Sequence, residues 1–340
     1  MKHIYPAPIL LVSALLAMTG CTQRPTWYHC TGSVWNTLYS IDYLADRPLD
    51  DSIQTVLRQV ELSVSAFNPN STVTRINQSE QPAATDPMFA EVFSASQEIS
   101  RCSGGLFDPT VAPLVNLWGF GYKGDGDTIP SDDAIARAMQ SVGIGQCRLS
   151  NDTVYKKSPE TQFNFSAIAK GYGCDCVAAM LTRNGCRNYK VEIGGEIALN
   201  GHNTRDTEWR IMIDAPVACD TAIHHESLGI IPLSHGGIAT SGSYRNYRDT
   251  PQGRRSHTIN PTTGYPMEAA DEANRQVSAT VIASSAMEAD GLATACMAMR
   301  ADSAILMIER TPGAEALLVI PGHGAEWILS RTSGFPDMIR

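Results

Sequence analysis

Asp290 and Thr294 lie one helical turn apart in the segment EADGLAT, residues 288–294. Side chains at this spacing project from the same face of a helix. A carboxylate beside a hydroxyl offers the hard oxygen ligands that magnesium takes, completed by a backbone carbonyl, water and phosphate. In the structural alternative, Thr294 donates its hydroxyl back to the carbonyl of Asp290, as helical threonines often do.

Lys170 lies in the segment NFSAIAKGY, residues 164–172, at the expected start of a helix. Positive charge is disfavoured there because the backbone dipole places partial positive charge at a helix N-terminus. The placement makes sense if an anion also binds there, held by free backbone N–H groups and by the ammonium. A solvated surface lysine is the structural alternative.

His257 stands on an expected strand directly before the turn of HTINPTTGYP, residues 257–266. Its imidazole titrates near neutral pH and could act there as a base. The alternative is a histidine that is hydrogen-bonded to the turn.

A glycine pair precedes Phe107 and Asp108 in SGGLFDPT, residues 103–110, which leads into LWGFG at 117–121. Glycines directly before an aromatic residue and an acid indicate backbone packed closely against a flat group. A tight turn capped by Asp108 explains the same residues equally well.

Caps and apolar spacing indicate the elements that position these residues. Helices are expected after Asp50 and Asp51 as caps, from Pro87 with Asp86 as cap, from Ser131, and from about Ala167 to Asn184. Ser285 and Glu288 form a capping box that opens a last long helix through Met299. Strand-like runs are residues 189–193, 209–213, 255–259, 276–282 and 316–320. Strands clustered in the second half, with helices on both sides, predict an α+β protein.

The first residues resemble a processing signal. Lys2 supplies a positive start, and the apolar run at 9–18 is too short to span a bilayer. The sequence MTGC, residues 18–21, resembles a bacterial lipobox, so we expect cleavage before Cys21 and lipidation of Cys21. An ordinary secretory signal is the alternative. The expected organisation is a lipoprotein signal peptide at 1–20, a short lipid-anchored linker at 21–30 and one domain at 31–335.

Composition and motifs exclude several function classes. The chain has 26 basic and 35 acidic residues and a formal charge of −9, which argues against nucleic-acid binding. It contains no GxxxxGKS/T pattern, so the P-loop nucleotide-binding folds have no support. The cysteines other than Cys21 lack the spacing of a zinc site. We expect most of them to be small buried hydrophobes, and an oxidising compartment would also allow one or two disulfides, whose pairing the spacing leaves open.

In their order along the chain, these segments resemble the ApbE family of FAD:protein FMN transferases. The resemblance runs from Gly32 to about Ile320. It rests on SAFNPNS (65–71), RIN (75–77), GGLFDPT (104–110), WGFG (118–121), AIAKGY (167–172), GGE (194–196), ATSG (239–242), HTINPTTGYP (257–266) and ADGLAT (289–294).

The resemblance implies a single α+β domain, related to the T-fold, with a mixed or antiparallel sheet flanked by helices. It implies a magnesium ion held by the carbonyl of Ala167 and the side chains of Asp290 and Thr294. It implies FAD as substrate, in contact with Trp35, Phe67, Leu106, Phe107, Asp108, Asn164, Lys170, His257 and Ile259. Of these, Lys170 and His257 would be catalytic together with Asp290, and His257 would take the proton from the acceptor hydroxyl.

The activity implied is cleavage of the FAD pyrophosphate and transfer of FMN to a threonine or serine of a partner flavoprotein, with release of AMP. The acceptor would be a subunit of a membrane redox complex. The enzyme would be lipid-anchored in the cell envelope, at the inner membrane and facing the periplasm. The alternatives are an FAD pyrophosphatase that releases FMN and AMP, and a non-catalytic flavin-binding lipoprotein.

The chain departs from the family pattern at four places. Val34-Trp35-Asn36-Thr37 stands where Thr-Met-Gly-Thr is usual, and a bulky Trp35 could replace methionine as a stacking wall against a ring. Phe67 stands in place of tyrosine, and Asn164 and Asn260 stand in place of aspartate. The proposed magnesium ligands and Lys170 are unchanged.

Overall fold

The computed structural model describes residues 24–121, 129–216, 226–243, 247–250, 253–268, 276–322 and 326–339. The predicted signal peptide and Cys21 lie outside the described residues. Among the helices of the described part, none combines the length and the apolar character that a membrane span needs.

Helices and strands are numbered in chain order. The helices are α1 (Asp50–Val64), α2 (Thr72–Gln78), α3 (Pro87–Cys102), α4 (Ala112–Leu117), α5 (Asp132–Met139), α6 (Ala169–Arg183), α7 (Ala286–Met297) and α8 (Ala301–Glu309). The strands are β1 (Thr26–Val34), β2 (Thr37–Ala45), β3 (Ala83–Ala84), β4 (Cys147–Ser150), β5 (Thr153–Lys156), β6 (Tyr189–Ile193), β7 (Glu196–Asn200), β8 (Trp209–Asp214), β9 (Ser227–Leu233), β10 (His235–Gly242), β11 (Tyr247–Thr250), β12 (Gly253–Ile259), β13 (Pro266–Glu268), β14 (Ser278–Ala283), β15 (Glu315–Pro321) and β16 (Trp327–Arg331).

Eight strands form the main sheet in the order β1-β2-β6-β7-β10-β14-β15-β16, and every neighbouring pair is antiparallel. Smaller sheets contain β11-β12-β13, β3-β5-β4 and β8-β9. The predicted α+β class, with an antiparallel sheet flanked by helices, is confirmed.

Alternate residues of the central strands serve two different cores. Along β15, Ala316 and Leu318 join a large core with α1, α3, α6 and α7, whereas Leu317 joins a second core with β8 and β9. Successive side chains of a strand point to opposite faces, so the sheet lies between the two cores. Helix α7 is buried along most of its length and packs on β10 and β14.

Three of the predicted helix starts have the expected cap. Asp86, Ser131 and Ser285 each accept a hydrogen bond from the backbone N–H three residues further on. The capping box is only half formed, because the Glu288 carboxylate accepts from the Ser284 hydroxyl at 2.6 Å.

Helix α1 has a different start from the one predicted. Its N-cap is Leu49, which makes no side-chain cap hydrogen bond, and Asp50 and Asp51 lie inside the first turn. There they face the positive end of the helix dipole, so charge and not capping accounts for them.

Two further elements differ from the sequence prediction. α7 is not the last helix, because α8 follows it with Ala301, Ala304 and Ile308 buried. β1 begins at Thr26, within the stretch predicted as a linker, because it pairs with β2 along its whole length.

Seven cysteines lie among the described residues, and none of them forms a disulfide. The buried ones are Cys30, Cys147, Cys174, Cys186 and Cys296. The prediction of small buried hydrophobes is confirmed for these, and no disulfide is found in this part of the chain.

Candidate active site

A cavity of about 730 Å³ opens where the first turns of α6 and α7 meet the ends of β10 and β12. This volume is in the range of small-molecule and cofactor sites. Most of the predicted site residues line it, namely Phe67, Leu106, Phe107, Asp108, Asn164, Ala167, Lys170, His257, Ile259, Asp290 and Thr294. Their segments are far apart in the sequence, so the tertiary fold brings them together.

Asp290 faces the first turn of α6, and Thr294 faces the segment that precedes this helix. Asp290 is buried, and its Oδ2 accepts a hydrogen bond from the Gly171 N–H at 3.0 Å. The Thr294 hydroxyl donates to the Ala167 carbonyl at 3.4 Å and lies 3.3 Å from the Ser241 hydroxyl. Thr294 therefore joins the loop before α6 to α7.

The three predicted metal ligands fit magnesium by their chemistry. Ala167, Asp290 and Thr294 offer a carbonyl, a carboxylate and a hydroxyl to one cavity. In the part of the chain that the structure describes, no three His, Cys, Asp or Glu side chains cluster as a metal site. A single carboxylate suits magnesium, which usually keeps several waters and binds through one or two carboxylates together with substrate phosphates.

Lys170 has two carboxylate partners at the cavity wall. Its Nζ lies 2.7 Å from Glu196 Oε1 and 3.8 Å from Asp290 Oδ1. Burial by itself would lower the pKa of Lys170, but the charges of Asp290 and Glu196 reverse that effect and hold it well above its ordinary range. Lys170 lies in the first helical turn as predicted and is not a solvated surface lysine. Two protein carboxylates already offset its charge, so its position does not require a bound anion.

Glu196 is a cavity residue that the sequence analysis noted only within a motif. A tight turn with positive φ at Gly194 and Gly195 brings it to the first position of β7. Burial raises the pKa of Glu196, although the charge of Lys170 opposes this. An acid placed directly after a two-glycine turn, between two apolar strands, is the signal that could have identified it.

Helices α6 and α7 hold each other's first turns through carboxylates. Asp290 in α7 accepts from the Gly171 N–H of α6, and Asp175 in α6 accepts from the N–H groups of Ala286 and Met287 at 2.9 and 2.8 Å. Each carboxylate satisfies donors that a helix start leaves without intrahelical partners. Burial raises the pKa of Asp175 to about 6.

Two glycines allow this close approach. A Cβ on Gly171 would lie 2.1 Å from the Ala286 carbonyl oxygen, and a Cβ on Gly237 of β10 would lie 2.1 Å from the Ala286 nitrogen. Such distances are far below van der Waals contact, so only glycine fits at these two positions. The start of α7 therefore packs closely against both α6 and β10.

Asp108 and Asn164 line the cavity, but their side chains organise the loops that carry them. Asp108 accepts from the Thr110 N–H and from the Ile144 N–H, each at 2.8 Å. The turn-capping interpretation of Asp108 is therefore correct. Asn164 accepts from the Ser166 N–H at 2.9 Å, a bond that aspartate could also make at this position.

Trp35 is not among the residues that line the cavity. With Asn36 it forms the two-residue turn between β1 and β2, where both residues have positive φ. Its ring packs on α6, and a Cβ on Gly173 would lie 2.4 Å from Trp35 Cη2. The stacking role predicted for Trp35 has no support from this position. Because Gly173 has no side chain, the indole packs directly against the helix.

The remaining predicted residues form the apolar wall and the mouth of the cavity. Phe107 and Ile259 are buried in the wall beside Leu106. Phe67 is 56% exposed and His257 is also exposed, so both lie where a second molecule can reach them. The cavity thus combines an apolar wall, a charged inner end and an accessible histidine.

A family model described as the ApbE family matches residues 35–318. The FAD:protein FMN transferase of Vibrio cholerae is 36% identical over 309 residues, which cover 88% of this chain and 90% of that protein. The FAD:protein FMN transferase of Haemophilus influenzae is 31% identical over 344 residues, covering 97% of this chain and 96% of that protein.

Solved structures give the same result. The flavin transferase ApbE from Vibrio cholerae superimposes with a TM-score of 0.80 at 34% identity, covering 92% of this chain and 98% of that one. The apo form of the flavinyl transferase ApbE from Pseudomonas stutzeri also has a TM-score of 0.80, at 31% identity, covering 91% and 96%. Sequence and fold agree over nearly the whole described chain, and this protein belongs to the ApbE family.

Proposed function

We propose that this protein is an FAD:protein FMN transferase that uses magnesium. The observation that carries the proposal is that Ala167, Lys170, Asp290 and Thr294 meet at one end of a cavity with an apolar wall. A flavin ring suits the wall, and the diphosphate of FAD suits the charged end. Membership of the family and the names of the relatives point to the same reaction.

Each residue then has a chemical task. Ala167, Asp290 and Thr294 would hold the magnesium, which when bound would offset negative charge on the phosphates. The Lys170 ammonium adds to that stabilisation from the protein side. Leu106, Phe107 and Ile259 bind the ring and exclude water from it. His257 accepts the proton of the acceptor hydroxyl.

The reaction exchanges a phosphoanhydride bond for a phosphoester bond. The acceptor oxygen of a threonine or serine attacks the FMN phosphorus, and its proton passes to His257. The bond from that phosphorus to the bridging oxygen of the pyrophosphate breaks, and AMP leaves with the bridging oxygen. The product is a protein that carries FMN through a phosphoester.

An FAD pyrophosphatase is a second candidate, favoured by the exposure of His257. If water takes the place of the acceptor hydroxyl, the same site releases FMN and AMP. A purely flavin-binding lipoprotein is disfavoured, because storage does not need Asp290 and Thr294 beside the phosphates.

The test is to incubate the protein with FAD, magnesium chloride and a flavoprotein domain that carries a candidate acceptor threonine. Covalent flavin fluorescence on the acceptor band after denaturing electrophoresis is expected. Free FMN and AMP without labelling would indicate the pyrophosphatase, and unchanged FAD would reject both catalytic functions.

The location of the enzyme is part of the proposal. We propose that Cys21 carries the lipid anchor, that the enzyme faces the periplasm at the inner membrane, and that its acceptor is a subunit of a membrane redox complex. The support is the MTGC sequence at 18–21. Mass spectrometry of the mature N-terminus, with Cys21→Ser as control, should find acyl chains on the wild-type protein alone.

A further inference from the structure

Glu196 is a buried carboxylate that pairs with the half-buried Lys170 through only one of its two oxygens. Its Oε1 lies 2.7 Å from Lys170 Nζ, and the residue is only 4% exposed. Its Oε2 is buried and has no hydrogen-bond partner among the described residues. Taking the Glu196 carboxylate out of water costs desolvation free energy, so the pair is weak evidence for stability and calls for another explanation.

The position of Lys170 between two carboxylates supplies an explanation for this pair. Its ammonium is within hydrogen-bonding distance of Glu196 and, at 3.8 Å, beyond that distance from Asp290 Oδ1. The other oxygen of Asp290 is already occupied by the Gly171 N–H. If Glu196 did not hold the ammonium, Lys170 could pair directly with Asp290 Oδ1.

We propose that Glu196 is a positioning residue that holds Lys170 away from Asp290, so that Oδ1 of Asp290 stays available to a divalent cation. This inference rests on the proposed function, because it assigns a task within the same site. It predicts that removing the negative charge of Glu196 weakens cation binding through Lys170, although Glu196 itself is not a ligand.

The test uses Mn²⁺ as a spectroscopic substitute for magnesium, with free Mn²⁺ measured by electron paramagnetic resonance in the presence and absence of FAD. Glu196→Gln should bind Mn²⁺ roughly 10- to 100-fold more weakly than wild type, the usual effect of losing an outer-shell partner. Glu192→Gln is the matched control, because Glu192 also pairs with a lysine, Lys190, at 3.1 Å but does not line the cavity. It should bind like wild type.

The double variant Lys170→Met with Glu196→Gln separates positioning from a direct effect. With no ammonium to compete for Asp290, it should bind Mn²⁺ at least as tightly as wild type. It also removes both charges of the pair together, so it remains informative if Glu196→Gln alone fails to fold. Binding as weak as that of Glu196→Gln would overturn the inference, as would wild-type binding by Glu196→Gln.

Failure of the proposed function gives a different result. A wild-type protein that neither binds Mn²⁺ nor transfers FMN would reject the function itself. Normal transfer and Mn²⁺ binding in both wild type and Glu196→Gln would reject only the role of Glu196.

Discussion

The Asp290 carboxylate of α7 accepts a hydrogen bond from the Gly171 N–H of α6, with 3.0 Å between Oδ2 and the nitrogen. The same side chain lines the cavity and lies 3.8 Å from the Lys170 ammonium. Asp290 thus has two tasks, since it fixes the start of α6 and presents its second oxygen to the proposed metal site. A substitution at this position has to be chosen to separate the two.

Asp290→Asn should lower the rate of FMN transfer by about 100-fold or more, a loss typical of an electrostatic transition-state contact. The amide oxygen can still accept from Gly171, whereas alanine would leave a buried N–H unpaired at a cost of about 1–3 kcal/mol. Transfer is measured by flavin fluorescence of the acceptor, and folding by thermal unfolding.

Asp302→Asn, at an exposed position of α8, is the control for Asp290→Asn and should keep full activity. Transfer at the wild-type rate by Asp290→Asn would reject the assignment of Asp290 as a metal ligand.

His257→Ala should reduce transfer by roughly 10²- to 10⁴-fold, because the acceptor hydroxyl would lose its base. The affinity for FAD, measured by the change in flavin fluorescence on binding, should change much less. A raised pH should partly restore the rate, because more of the hydroxyl ionises without help. Equal losses in FAD affinity and in rate would instead assign His257 to binding.

Gly171→Ala should destabilise the protein by about 1–3 kcal/mol, since overpacked cores lose this much when backbone has to shift. The new methyl group would lie 2.1 Å from the Ala286 carbonyl oxygen and force α6 and α7 apart. The rate of FMN transfer should fall as well, because Asp290 would move away from its position beside Ala167.

Gly145→Ala is the matched control for Gly171→Ala, because a Cβ there meets no atom within 4 Å. Urea unfolding of both variants gives the difference in stability. Similar free energies of unfolding for the two would contradict the close approach of the helices.

Asp175 should make stability depend on pH in a specific direction. Burial raises its pKa to about 6 in the folded protein, against about 3.9 in an unfolded chain. The folded state therefore binds the proton more tightly, and the stability from this group is greatest below about pH 4 and declines as pH rises to about 6.

The Asp175→Asn variant has no titratable side chain at this position. Its stability should therefore not show the decline that Asp175 causes between pH 4 and pH 6. The free energy of unfolding of wild type minus that of Asp175→Asn should fall between pH 4 and pH 6, as measured by urea unfolding at several pH values. A difference that stays constant or rises over this range would show that Asp175 is not buried as described.

Local patterns predicted five of the eight described helices, and the family resemblance implied most of the residues that line the site. The caps at Asp86, Ser131 and Ser285 act over three residues, so the sequence alone contains the donor and the acceptor. The spacing of Asp290 and Thr294 likewise places them on one helix face whatever surrounds the helix. The short helix α8 was missed because it follows α7 with hardly a break.

The partners of the charged residues could not be predicted from the sequence. Lys170 meets Glu196 because β7 lies in the sheet beneath the start of α6, and Asp175 reaches Ala286 only because α6 and α7 lie side by side. Trp35 was assigned to the cavity from its place in a motif, but the tertiary packing seats it against Gly173. Hydrogen bonds within a few residues follow from chain geometry, whereas contacts across a hundred residues depend on strand order and helix packing, which short-range propensities do not specify.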